Sequence, residues 1–186
     1  MKALNKILRK ATSEIDRKYF EVEIDGGDPV LRERVYCYEL YHQMRTLWPN
    51  SCKYTLTGEL DKKSHPILKD LEFERIGGTR SNLSMKIPDL LVHVPGDMAE
   101  NFAVIEVKHV RSDNAGIKKD IETLSLFIEK AKYEEGILLI FGPGVNMEEK
   151  IQSLGVDLLN SALEKGIQFW VHEKAGSSVR NIAMNP

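Results

Sequence analysis

Residues 102–110 form an apolar run with two opposite charges, Glu106 and Lys108, set inside it. Few folds can hold such a segment. In a strand, Val104, Glu106 and Lys108 share one face, while Ile105, Val107 and His109 share the other. Burying either charge alone costs several kcal/mol or moves its pKa, so these residues must pair or coordinate something. A second apolar segment, residues 87–94, precedes it across a turn containing Pro95, Gly96 and Asp97. The two read as a hairpin, and a hairpin can bring Asp89 beside Glu106.

The flanking periodicities predict an α/β fold. Downstream, Ile117, Ile121, Leu124, Ile128 and Ala131 recur at helical spacing, residues 136–141 read as a buried strand, and Asn146 with Glu149 suits a capping box. Ile151, Leu154 and Leu158 continue that helix, a strand follows at 167–172, and residues 175–186 read as a mobile tail. Upstream, Leu4, Ile7, Leu8, Ala11 and Ile15 make an amphipathic basic helix over residues 1–19. Residues 26–29, with Asp28 as cap and Pro29 in the first turn, predict a helix running to Trp48. Along it Glu33, Cys37, Leu40, Met44 and Leu47 fall on one face, so a carboxylate begins an apolar stripe. Alternation from Tyr54 to Asp61 predicts a strand carrying Glu59, and residues 62–86 read as a long polar loop.

With 186 residues, 42% hydrophobic and 29% charged, the chain suits a single domain over 1–186, and no repeat or linker divides it. Net charge of −2 supplies no global cationic field, so contact with phosphates would rest on local clusters or bound metal. Cys37 and Cys52 have no Cys or His neighbour at zinc-ligand spacing, which fits a reducing, cytoplasmic setting. Charges interrupt every apolar run, so neither a signal segment nor a membrane span is expected.

Phosphodiester hydrolysis needs a cation to neutralise transition-state charge and to lower the pKa of an attacking water. Carboxylates suit Mg²⁺, which needs only one or two of them. A neighbouring lysine can orient or deprotonate the water and add positive charge. Asp89, Glu106 and Lys108 meet that requirement. Pro88 and Asp89, followed seventeen positions later by Glu106, Val107 and Lys108, resemble the PD-(D/E)XK signature of restriction-endonuclease-like nucleases. Asp120 with Leu124 before an aliphatic strand, and Glu33 and Arg34 followed by Leu40 and Met44, resemble a group of small bacterial members.

The resemblance covers about residues 28–142 and implies an αβββαβ core, a mixed central sheet flanked by helices, and a Mg²⁺-dependent deoxyribonuclease that accepts Mn²⁺ as substitute. It singles out Asp89, Glu106 and Glu33 as metal ligands, Lys108 as the water-activating group and Glu59 as a further member. Lys118 and Lys119 are candidates for DNA phosphate contacts. Double-strand cleavage with one such site per chain would require a homodimer or two sequential nicks. The alternative is a non-catalytic module that binds nucleic acid or protein within a larger complex. The expected geometry puts the Asp89 and Glu106 oxygens about 3 to 4 Å apart, with Lys108 on their face, Glu33 approaching from a helix packed on that sheet, and one side open to solvent. His93 lies four residues along the strand from Asp89 and His109 faces opposite Lys108, which leaves both outside the carboxylate cluster, and Trp48 and Trp170 read as packing residues.

Overall fold

The computed structural model describes residues 2–58 and 88–182. Its described elements are α1 (Lys2–Ser13), α2 (Arg17–Phe20), β1 (Val22–Ile24), β2 (Gly27–Val30), α3 (Glu33–Thr46), β3 (Thr55–Gly58), β4 (Leu90–His93), β5 (Asn101–His109), α4 (Asn114–Glu129), β6 (Glu135–Phe141), α5 (Met147–Gln152), α6 (Val156–Glu164), β7 (Ile167–His172) and β8 (Arg180–Asn181). Strands β3 to β8 lie in that order in one mixed six-stranded sheet flanked by helices. The β3, β4 and β5 neighbours are antiparallel, β5, β6 and β7 are parallel, and β8 returns antiparallel on β7. Parallel β5 and β6 need a crossover of a dozen or more residues, and α4 supplies it.

Register decides which helix covers which face. Gly136 lies beside Val104 in the β5–β6 ladder, and a Cβ on Gly136 would meet Ile128 and Ile167 at 3.1 Å. Helix α4 therefore presses on the face of Val104, Glu106 and Lys108. On the other face His109, Phe141 and His172 are neighbours across three strands. There Tyr36 of α3 stacks on Phe141 at 3.9 Å with an interplanar angle of 11°. Phe20 packs edge-on to both rings, so α2 and α3 cover this face.

Four expectations change. Residues 26–29 do not start a helix: Ile24 pairs with Gly27 across Asp25 and Gly26, whose φ is 70°. Asp-Gly is a strong two-residue hairpin signal, and it overrides the cap reading of Asp28 and Pro29. Helix α3 starts at Glu33, and its N-cap Arg32 makes no side-chain cap bond. The helix expected after Asn146 breaks at Gly155, where φ is 104°. Most of the tail is ordered: Val179 is fully buried, its N–H donates to Thr12 Oγ1 at 3.0 Å, and its carbonyl accepts from Arg9 at 2.9 Å. The basic helix of residues 1–19 divides where Asp16 caps α2. Glu59 and the loop at 62–86 lie outside the described residues. No described helix is long and apolar enough to cross a membrane.

Candidate active site

The site forms where β5 outruns β4. Their pairing ends with Leu90 opposite Ile105. Pro88, which has no N–H for a ladder, closes that end of β4. Val107 and His109 consequently point their N–H groups at an edge with no strand beside it, and carboxylates take the place of strand carbonyls. Asp89 Oδ2 accepts from Val107 N–H at 2.7 Å, and Glu33 Oε1 accepts from His109 N–H at 3.3 Å. On the other edge the parallel ladder continues, Val110 N–H donating to the Phe141 carbonyl at 2.7 Å.

One rung beyond Leu90 and Ile105, Asp89 stands opposite Glu106, and the two carboxyl groups interact with each other. Burial pushes Asp89 up to about 6, against the pull of the Val107 N–H and of Lys108. Glu106 is raised well above the usual carboxylate range, first by burial and then by the charges of Asp89 and Asp120. Asp120, on α4, is raised by burial as well, although Lys108 opposes the shift. Lys108 Nζ lies 3.1 Å from Asp120 Oδ2 and 3.3 Å from Glu33 Oε2. Burial alone would lower its pKa, but these carboxylates outweigh burial and hold the ammonium above its ordinary value.

Asp89, Glu106 and Lys108 thus come together at one end of β5. Glu33 joins them from α3, which packs on the same sheet. Its helix packs on the opposite face, through Tyr36 and Phe141, and the carboxylate reaches Lys108 around the strand end. There it also accepts from Ser112 Oγ at 3.2 Å and lies 3.8 Å from His109 Nε2. Glu106 is buried, whereas the Lys108 and Glu33 side chains keep 19% and 33% exposure, so approach to the site is from their side. Lys118 and Lys119 are exposed on α4. His93 is buried beside β3, its Nε2 3.1 Å from Thr57 Oγ1, away from the carboxylates.

Asp120 belongs to this site but was not singled out as a site residue from the sequence. Its signal was present: it lies three residues after Ile117 and four before Leu124, on the inward stripe of α4, where an unpaired acid would be costly.

Among the described residues no three His, Cys, Asp or Glu side chains are placed to hold a metal ion. The donor set suits a two-carboxylate ion instead. Asp89 and Glu106 are adjacent hard-oxygen donors whose crowding favours a shared proton, and a divalent cation would relieve the same repulsion. Compared with known proteins, the chain matches no family model, no curated protein and no solved structure, so its function rests on this geometry.

Proposed function

We propose that this chain is a metal-dependent nuclease of the PD-(D/E)XK kind, hydrolysing phosphodiester bonds in DNA. The observation that carries the reading is the convergence of Asp89, Glu106 and Lys108 on the open end of β5. The order α3, β3, β4, β5, α4, β6 agrees with the αβββαβ core of such enzymes. Asp89 and Glu106 would hold Mg²⁺ or Mn²⁺, which supplies charge neutralisation and a more acidic water when bound. Lys108, held charged by its carboxylate neighbours, serves as a donor and cation that orients water and stabilises developing negative charge. It is poorly suited to take a proton in its resting state. Exposed Arg32 and Arg111 flank Glu33 and Ser112 in sequence, and Lys118 and Lys119 precede Asp120, so these are the candidates for a cationic rim to an otherwise acidic site. Such a rim is what a chain of net −2 needs to meet phosphates.

A second reading is a non-catalytic nucleic-acid-binding or protein-interaction module that keeps the fold. Incubating the protein with plasmid, single-stranded DNA and RNA in Mg²⁺ or Mn²⁺, beside Lys108→Ala, separates the two. Cleavage abolished by chelator and reduced roughly a hundredfold or more in Lys108→Ala supports the enzyme. Equal product from both proteins overturns it, and no cleavage by either, with retained binding, supports the module.

A further inference from the structure

Lys108 is reached by two carboxylates from helices on opposite faces of the sheet, at 3.1 Å by Asp120 of α4 and at 3.3 Å by Glu33 of α3. Lys108 and Asp120 are largely buried, and the cost of taking two charges out of water offsets most of their mutual attraction, so stability does not account for two carboxylates on one ammonium. What both carboxylates do is aim a lysine. Its ammonium sits on a flexible four-carbon stem, and a charged partner on each side restrains it from two directions.

The anchors are themselves held. The second oxygen of Glu33 accepts from His109 N–H and Ser112 Oγ. Ser112 is fixed in turn by its carbonyl, which accepts from Lys150 Nζ at 2.8 Å. Asp120 is buried on a helix that packs directly on β5 and β6. An ammonium has three donors; Glu33 accepts one of them, and Asp120 Oδ2 faces the ammonium as an ion-pair partner without an aligned hydrogen bond, so N–H remains for another acceptor.

We propose that Asp120 and Glu33 are positioning residues that clamp Lys108 over the Asp89–Glu106 pair, keeping one N–H for water or phosphate. The inference rests on the nuclease reading for its purpose, but the clamp itself is measurable without turnover. Placing the reacting group accurately affects the rate more than binding, so Asp120→Ala should lower kcat about tenfold to a hundredfold with KM nearly unchanged. Asp120→Asn, which keeps an acceptor in place, should recover much of that loss. In a Lys108→Ala background Asp120→Ala should change nothing further, because its effect passes through the lysine. A wild-type kcat in Asp120→Ala, or an equal additional loss without Lys108, overturns the clamp. In a protein labelled with ¹³C-lysine, the Lys108 ε-methylene signal, assigned by its disappearance in Lys108→Arg, should show restricted motion in the wild type. It should become mobile in Asp120→Ala combined with Glu33→Gln. An unchanged signal overturns the clamp even if the wild type cleaves DNA, and a mobilised one sustains it even if no substrate is cut.

Discussion

On the α3 face of the sheet His172 is buried among Tyr36, Phe20 and Phe141, whereas on the α4 face buried Glu106 and Asp120 lie against half-buried Asp89. Both faces enclose titratable groups, but they differ in how many charges they have to hold. His172 Nδ1 lies 2.7 Å from the Tyr36 hydroxyl, and burial holds the imidazole down to about 4, so it sits neutral in an aromatic cluster. The acids have one ammonium for four carboxylates once Glu33 is included. A core optimised for stability would not retain that imbalance, and sites kept for chemistry characteristically do.

The aromatic face should show the largest effect when broken. Phe141→Ala removes the ring that Tyr36 stacks on and should destabilise the chain by about 3–5 kcal/mol, read by chemical denaturation.

The next two effects concern pH and have opposite signs. The unfolded chain protonates His172 near 6.5, but the folded chain resists until about 4. Stability therefore falls as pH drops through that window, by on the order of 3 kcal/mol in full. Asp89 runs the other way. Its folded pKa, about 6, lies above the ordinary 3.8, so the folded state holds the proton more tightly and stability falls as pH rises between these values. In metal-free protein the two slopes oppose each other between about pH 4 and 6. Asp89→Asn should unmask the acid sensitivity of His172 and stabilise the protein at pH 8 by on the order of 2 kcal/mol. His172→Asn should leave the Asp89 slope alone. Thermal midpoints across pH in chelator check both, and parallel profiles in wild type and Asp89→Asn would refute the assignment.

How much of this contrast could be read from residue patterns depended on distance along the chain. Alternation placed Glu106 and Lys108 together on β5, and spacing placed Asp89 opposite, because hairpin register is local. The α3 stripe located Glu33 but not its face, since helical periodicity does not say which side of a sheet the helix will cover. Asp120 meets Lys108 only through the β5–α4–β6 crossover, which makes it a tertiary contact that residue spacing does not report. The order near Val179 depends on Thr12, 167 residues away. At Gly26 the reason is different: Asp25 and Gly26 make a hairpin turn, while Asp28 and Pro29 suit a helix start, and strand pairing decides between them.

The smallest effect tests the rim. Replacing Arg32 and Arg111 together, or Lys118 and Lys119 together, should flatten the slope of log affinity against log salt by about 0.9 per lost phosphate contact on duplex DNA. Replacing Lys6 and Lys10 of α1, exposed on the helix layer of the opposite face, should leave the slope unchanged. The reverse pattern would move nucleic acid to the other side of the molecule.

Calorimetric titration with Mn²⁺ near pH 7.5 tests the central claim most directly, because it asks whether the imbalance of charge on the α4 face exists to hold a cation. One site is predicted in the wild type, lost in Asp89→Asn and in Glu106→Gln, and retained in Glu33→Gln and Asp120→Asn, whose carboxylates serve Lys108. Identical Mn²⁺ binding by the wild type and Asp89→Asn, or no binding by the wild type at all, would contradict it.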